Sequence, residues 1–235
     1  KPLKNWLRRI NKDMRLRNVR NASDLINKHP NWVITNPVAL KGKWTMVFGN
    51  DKPIYLEIGC GKGKFIFEMA KKHPNINFIG IEKFDSVIVR ALQKIVNEPL
   101  DNVRLLRIDA AFLTSIFAIN EISCVYLNFS DPWPKPSHAR RRLTSPQYLE
   151  RYRAVLQPLS SIFFKTDNFP LFSFSMMSFV NSGLKINHIS LDCHREQELN
   201  NVETEFETRF STAGKPIYYI KAQYKESNDD KAIIS

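Results

Sequence analysis

Short apolar runs alternate with amphipathic segments through the middle of the chain. Runs rich in Ile, Val, Phe and Tyr are typical of strands that are buried on both faces of a sheet. They predict seven strands, at residues 54–58, 78–82, 103–108, 122–129, 161–165, 185–191 and 217–222. The segments between them predict helices at residues 64–72, 85–97, 145–156 and 171–181. This alternation predicts an α/β fold, a Rossmann-like doubly wound and mostly parallel seven-stranded sheet with helices on both faces.

The N-terminal segment has a different pattern, because basic residues dominate residues 1–20 and Asp13 is their single acidic residue. A segment this polar and basic predicts a flexible arm that becomes ordered on a partner, with a solvated tail as the alternative. We therefore expect three regions: a basic arm or extension at 1–35, one catalytic domain at 36–225 and a tail at 226–235.

The formal net charge of the 235 residues is +12. Such an excess points to a polyanionic partner, either a nucleic acid or an anionic membrane surface. The most apolar stretch, residues 162–180, is interrupted by Lys165, Asp167 and Pro170, which argues against a membrane span. The cysteines at 60, 124 and 193 are odd in number and widely spaced, so we expect free thiols, no metal site and a cytoplasmic protein.

A glycine loop follows the first predicted strand. A dinucleotide-binding loop of a dehydrogenase would have the pattern G-x-G-x-x-G, but here the pattern is G-x-G-x-G and Lys64 stands at the third glycine position. Glu57 precedes the loop, where a carboxylate is unfavourable for a pyrophosphate. The same carboxylate suits a ligand that carries an ammonium and a sulfonium group, which favours S-adenosylmethionine over a dinucleotide.

Acidic residues end the first three strands at Glu57, Glu82 and Asp109. In a parallel sheet these ends meet at one edge, where ligands bind. We expect Glu82 to accept hydrogen bonds from ribose hydroxyls, and Asp109 to meet the adenine amino group. The alternatives are structural: Glu57 could pair with Lys64, Glu82 could pair with Lys83, and Asp109 could cap the helix that follows it.

The fourth strand leads into a stiff loop in which Asp131 and Trp133 are flanked by prolines. A fixed carboxylate beside an aromatic face suits a planar heterocycle, and a packed tryptophan in a proline-rich turn is the alternative. The basic cluster His138, Arg140, Arg141 and Arg142 follows at once. Guanidinium groups beside a reaction centre favour phosphate recognition, although a solvated run of charges has the same composition.

Five motifs give the sequence a specific resemblance. They are EIGCGKGKF at 57–65, YLNFSDPWPK at 126–135, FKTDN at 164–168, TEFE at 204–207 and GKPIY at 214–218. Together they resemble the bacterial tRNA (guanine-N7)-methyltransferase family, which methylates a guanine in the tRNA variable region. The chain departs from the family at Pro136, Ser137 and Ala139, where family members commonly carry basic residues.

The resemblance implies roles for individual residues. Glu57, Glu82, Asp109 and Asp131 would contact S-adenosylmethionine together with Gly59 of the loop, and Asp131 would also be catalytic. The implied substrate contacts are Lys135, Asp167, Thr204, Glu205, Phe206 and Glu207. The implied RNA-contacting segment is Ser137, His138, Ala139, Arg140, Arg141 and Arg142.

The sequence thus predicts an enzyme whose partner is tRNA, acting as a monomer or a homodimer without a membrane or a metal. A small-molecule methyltransferase that uses the same cofactor is the main alternative. A non-catalytic RNA-binding protein on the same scaffold is another, and the three acids at the cofactor positions argue against it.

Overall fold

The computed structural model describes residues 22–196 and 202–224, and its centre is an eight-stranded sheet. The strands are β1 (Val33–Ile34), β2 (Ile54–Ile58), β3 (Asn77–Glu82), β4 (Val103–Arg107), β5 (Ile122–Asn128), β6 (Leu156–Thr166), β7 (Leu184–Ser190) and β8 (Tyr218–Tyr224). Their order across the sheet is β1-β4-β3-β2-β5-β6-β8-β7. The strands from β1 to β6 pair in parallel, whereas β8 is antiparallel to both β6 and β7.

Helices cover both faces of the sheet. The α-helices are α1 (Ala22–Asn27), α2 (Trp44–Phe48), α3 (Lys64–Lys72), α4 (Asp85–Asn97), α5 (Leu113–Ile116), α6 (Pro146–Arg153), α7 (Phe169–Asn181) and α8 (Glu205–Thr212). Successive side chains of β2 point to opposite faces of the sheet. Leu56 belongs to the core that includes side chains of α5, α6 and α7, and Tyr55 packs against the core that includes those of α3 and α4. This period of two is what a strand buried on both faces requires.

The direction of strand addition reverses at β2. The chain proceeds from β2 to β3 and β4 on one side, and then crosses back to place β5 and β6 on the other side. In doubly wound sheets, ligands bind outside the carboxyl ends of the strands at this switch point. The glycine loop after β2 and the proline-rich loop after β5 therefore lie next to each other at the position where a ligand is expected.

The fold class predicted from the sequence is confirmed, although several of its elements differ from those expected. The count of seven strands was wrong, because Val33–Ile34 adds an eighth strand at the edge beside β4 and two residues are too few to show a period. The helix expected at 145–156 ends at Arg153, and Leu156 begins β6. Helices α1, α2, α5 and α8 were not predicted, since the first three are too short to show a period and α8 has no long apolar stripe.

Part of the expected N-terminal arm is packed against the sheet. Ile26 of α1 and Val33 of β1 are both 1% exposed and belong to the core on the α3 and α4 side. Residues 1–21 and 225–235 lie outside the described residues, so the boundaries at 36 and 226 stay predictions. None of the helices formed by the described residues has the length and hydropathy needed to cross a lipid bilayer.

Candidate active site

The loop between β2 and α3 is a tight turn tied to β3. The backbone amides of Gly59 and Cys60 both donate to the carbonyl of Ile81, at 2.8 and 3.0 Å. Gly59, Gly61 and Gly63 have φ values of 76°, 57° and 75°, a region that favours glycine. A Cβ atom on Gly63 would lie 2.6 Å from the Cβ of Ala91, so this glycine also lets α3 approach α4 closely.

Glu57 lies at the end of β2 and is 4% exposed. The side-chain amide of Asn128, at the end of β5, donates to its Oε1 at 3.0 Å, across the switch point. Its Oε2 is buried without a hydrogen-bond partner among the described residues. Burial raises the pKa of this carboxyl to about 7, although the Asn128 hydrogen bond, the nearby Lys165 ammonium and the backbone amide of Ile66 lower it. Among the described residues, Glu57 and Lys64 do not form the ion pair that was considered as an alternative. Lys64 Nζ instead donates to Thr208 Oγ1 at 2.9 Å.

Glu82 is the last residue of β3, and Asp109 follows the end of β4 by two residues. Glu82 Oε1 accepts from the backbone amides of Lys83 and Phe84, at 2.9 and 3.1 Å, and burial raises its pKa. Asp109 accepts from the amide of Ala111 at 2.8 Å, so the capping alternative is observed. Its other oxygen lies 3.9 Å from Lys83 Nζ, and 42% of the side chain is exposed. The cap uses one oxygen of Asp109 and is compatible with a ligand at the other.

The loop after β5 has two residues in an unusual backbone conformation. Phe129 and Trp133 have φ values of 50° and 41°, which bulky residues rarely adopt and which cost of order 1–3 kcal/mol each. The hydroxyl of Ser130 is buried without a hydrogen-bond partner among the described residues. Asp131 is exposed between these two residues. Such strain is a recognised property of active-site loops, and here it fixes the direction in which the loop leaves the sheet.

Arg142 holds this loop, residues 129–135 and hereafter the Asp131 loop, through hydrogen bonds to its backbone. Its Nε and Nη2 donate to the carbonyls of Pro132 and Trp133, both at 3.1 Å, and its guanidinium lies 4.3 Å from the ring centre of Phe174. The guanidinium of Arg141 lies 4.9 Å from the ring centre of Trp133. Arg142 is therefore occupied within the protein, in contrast to Arg140 and Arg141, which are exposed. Its expected contact with RNA stays a prediction.

The remaining members of the expected RNA segment form a 3₁₀ helix, Pro136–Arg141. Lys135 and Ser137 are exposed, and His138 and Ala139 are partly buried. The His138 ring meets Trp133 edge to face at a centroid distance of 5.6 Å. The segment thus presents its basic side chains next to the Asp131 loop.

Helix α8 begins in a capping box. Thr204 Oγ1 accepts from the amide of Glu207 at 2.9 Å, and Glu207 Oε2 accepts from the amide of Thr204 at 3.3 Å. Glu207 is fully buried, and its Oε2 also lies 3.1 Å from Lys165 Nζ at the end of β6. This ion pair joins the start of α8 to the carboxyl edge of the sheet. The expected substrate contact of Glu207 stays a prediction, and the structure gives this side chain a positioning role.

The exposed side of α8 faces the glycine loop and the Asp131 loop. Glu205 lies 3.8 Å from Lys62 of the glycine loop and 3.4 Å from Lys94 of α4. Phe206 is 38% exposed and stacks on Phe129 at a centroid distance of 6.3 Å. Helix α8 therefore closes one side of the space above β2 and β5.

Asp167, which follows β6, pairs with Lys215 at 3.3 Å. The structure thus brings the expected cofactor and substrate residues to one edge of the sheet. Sequence reasoning missed four side chains that hold them there: Asn128, Arg142 as a brace, Lys165 and Lys215. A polar residue at each strand end was a usable signal for Asn128 and Lys165, whereas the partner of Lys215 requires the tertiary fold.

The chain is similar to known methyltransferases in sequence and in fold. A family model described as a putative methyltransferase matches residues 51–220. The tRNA (guanine-N(7)-)-methyltransferase of Geobacillus sp. (strain WCH70) is 51% identical, covering 90% of this chain and 96% of the relative. The enzyme with the same description from Bacillus subtilis (strain 168) is 48% identical, covering 90% and 100%. A solved 16S rRNA methyltransferase, KamB, has a TM-score of 0.60 at 16% identity, covering 79% of this chain and 94% of that one, and supports the fold alone.

Proposed function

The chain belongs to the tRNA (guanine-N7)-methyltransferase family, and on that premise we propose that it transfers the methyl group of S-adenosylmethionine to N7 of a guanine in the tRNA variable region. The observation that carries the proposal within the structure is the buried Glu57 carboxylate at the switch point of the sheet. One of its oxygens is held by Asn128 and the other has no partner among the described residues.

The residues at this position fit S-adenosylmethionine. An unpartnered buried carboxylate oxygen costs about 1–3 kcal/mol or more and is relieved by a cationic donor such as an ammonium group. Gly59 has open space where a side chain would project, which suits close approach of a ligand to the backbone. We assign Glu57, Gly59, Glu82, Asp109 and Asp131 to the cofactor site. S-adenosylmethionine, when bound, supplies an electrophilic methyl group.

Asp131 is the proposed catalytic residue. Guanine N7 has an in-plane lone pair and carries no proton, so its attack needs no general base. A carboxylate that accepts hydrogen bonds from the donor edge of guanine places electron density on the ring and stabilises the cationic charge that develops there. The strained backbone at Phe129 and Trp133, with the Arg142 brace, holds Asp131 in place without reorganisation during the reaction.

The guanine would lie between the Asp131 loop and α8. The ring of Phe206 is exposed there and already stacks on Phe129, so it can extend a stack to a purine. Lys135, Asp167, Thr204, Glu205 and Glu207 complete the proposed substrate side. A base within folded RNA must leave its own stack to reach this position, which costs a few kcal/mol.

The proposed RNA surface adjoins this opening. Arg140 and Arg141 are exposed on the 3₁₀ helix after the Asp131 loop, beside Lys135, Ser137, His138 and Ala139. With a net charge of +12, phosphate contacts there would make tRNA binding fall steeply with salt concentration. A small-molecule methyltransferase would show no such dependence.

The direct test is incubation of the protein with S-adenosylmethionine labelled in its methyl group and with unmodified tRNA, followed by nucleoside analysis. We expect labelled 7-methylguanosine. Asp131→Asn keeps the size of the side chain and removes its charge, and we expect the rate at saturating tRNA and cofactor to fall at least about 100-fold.

Asp51→Asn, at an exposed position before β2, is the matched control and should keep the wild-type rate. Label in a nucleoside other than 7-methylguanosine would refute the assigned atom. A wild-type rate in Asp131→Asn would refute the catalytic assignment.

A further inference from the structure

Three potential metal ligands meet beneath helix α8. Cys193 and His194 follow β7, and Glu207 lies in the first turn of α8. The Cys193 thiol, a His194 ring nitrogen and a Glu207 carboxylate oxygen all lie within 4.8 Å of one another. The sequence did not suggest this group, because thirteen positions separate His194 from Glu207 and Cys193 has no cysteine near it in the chain.

The distances match those around a tetrahedral metal ion. Glu207 Oε1 lies 3.8 Å from Cys193 Sγ and 3.3 Å from His194 Nε2. With zinc–sulfur bonds of about 2.3 Å and zinc–nitrogen or zinc–oxygen bonds of about 2.0–2.1 Å, ligand atoms in a tetrahedron are about 3.3–3.5 Å apart. The distance between Glu207 and His194 already has this value, and the thiol, which lies within 4.8 Å of both, would move inward to reach a bonding position.

The surroundings orient these ligands. The other ring nitrogen of His194 lies 3.8 Å from a carboxylate oxygen of Glu203, which is longer than a hydrogen bond but places a carboxylate on the side where metal-bound histidines commonly have one. The amide of Cys193 donates to the carbonyl of Ile217 at 2.9 Å, which fixes the position of the thiol. The Lys165 ammonium is bound to Glu207 Oε2, and Oε1 is the oxygen directed at Cys193 and His194.

Access and charge are also suitable. The thiol and the carboxylate are buried, whereas the His194 side chain is 25% exposed and leaves a route from solvent and a fourth position for water. On binding, the thiol releases its proton to solvent, and one thiolate and one carboxylate then balance the charge of a divalent ion. Thiolate and imidazole ligands in a tetrahedron select zinc over magnesium or calcium.

We propose that Cys193, His194 and Glu207 form a binding site for a thiophilic divalent cation, of which zinc is the natural candidate. The ion would join the segment after β7 to the first turn of α8. Because α8 carries Glu205 and Phe206 to the edge of the proposed active site, the ion would stabilise that wall without touching the reacting atoms. The site shares Glu207 with the proposed substrate side, but ion binding is measured directly and does not depend on the reaction assigned above.

The test uses the full-length protein after treatment with a chelator, titrated with cobalt(II) as a spectroscopic substitute and with zinc by calorimetry. We expect one ion per chain, a thiolate-to-cobalt charge-transfer band in the near ultraviolet and visible bands of four-coordinate cobalt. Cys193→Ala should abolish the charge-transfer band and weaken zinc binding at least about 100-fold, since loss of even an outer-sphere partner costs about 10- to 100-fold.

Cys124→Ala is the matched control, because it removes a different buried thiol, in β5, and should keep the band and the affinity. His194→Ala, whose side chain reaches the surface, is a second ligand variant and should weaken zinc binding to a similar extent. Zinc should raise the melting temperature of the wild type and of Cys124→Ala, and leave that of Cys193→Ala unchanged. Absence of the band in the wild type, or its survival in Cys193→Ala, would overturn the proposal.

Discussion

Replacing Glu57 with Gln should stabilise the protein without its cofactor and weaken cofactor binding. Gln keeps an oxygen that can accept from Asn128 and removes a buried charge. Burial raises the pKa of Glu57 from 4.5 to about 7. Each tenfold change in an ionisation equilibrium is worth roughly 1.4 kcal/mol, so ionised Glu57 costs the fold about 3 kcal/mol.

The pH dependence fixes the sign of this effect. Below about pH 4.5 the carboxyl is protonated in both the folded and the unfolded chain, and it costs nothing. Between pH 4.5 and about 7 it ionises in the unfolded chain while it stays protonated in the folded one, so the wild-type free energy of unfolding falls as pH rises. Glu57→Gln lacks this loss, and its advantage should grow from about 1 kcal/mol at pH 5 to about 3 kcal/mol at pH 8.

The assay is urea unfolding of both proteins at several pH values, together with calorimetric titration of S-adenosylmethionine. Loss of a charge-assisted hydrogen bond worth about 1.5–3 kcal/mol should weaken cofactor binding about 10- to 100-fold. Glu68→Gln, at an exposed position of α3, is the control and should change the free energy of unfolding by less than about 0.5 kcal/mol. A Glu57→Gln protein that is less stable than the wild type at pH 8, or whose advantage is the same at pH 5 and pH 8, would refute this reasoning.

Two further substitutions test the loops around the site. Gly63→Ala should lower the free energy of unfolding by about 2–5 kcal/mol in urea titrations, because its new methyl group would lie 2.6 Å from Ala91 at a φ of 75°. The control is Gly49→Ala, at a φ of 68° with nothing within 4 Å, which should lower the free energy of unfolding by only about 1–2 kcal/mol. Equal losses in the two variants would contradict the packing argument. Arg142→Ala should lower kcat about 10- to 100-fold in the methylation assay through displacement of the Asp131 loop. Arg140→Ala should instead raise the KM for tRNA, and an unchanged kcat in Arg142→Ala would show that the brace has no catalytic effect.

Much of the sheet and of the cofactor side could be predicted from the sequence, because local signals there agree with the final fold. The run 54–58, its glycine loop and the helix 64–72 have the bounds expected from their pattern. Glu57 and Glu82 were expected at strand ends, and parallel pairing brings those ends together. A local pattern sufficed since each element buries the face that its own residues define.

The substrate side could not be predicted in the same way. β6 begins at Leu156, which pairs with Ile122 of β5, and regular pairing resumes only at Ser161 after a register shift. The residues between them, which include Gln157, Pro158 and Ser160, give no apolar run. Helix α8 has few buried side chains, and its ion pairs are with Lys165, Lys62 and Lys94, which are distant in the chain. Its one local signal was the spacing of Thr204 and Glu207, which is typical of a capping box.

The insertion of β8 between β6 and β7 has a consequence for synthesis of the protein on the ribosome. Strand β7 is complete at residue 190, yet its strand partner is β8, which ends at residue 224. While the intervening chain is being translated, β6 and β7 both have an open edge that another polypeptide can pair with. The nascent protein is therefore most exposed to aggregation while Tyr218–Tyr224 is still missing. Once this strand pairs, it closes the facing edges of β6 and β7 together, and the outer edge of β7 remains as the border of the sheet.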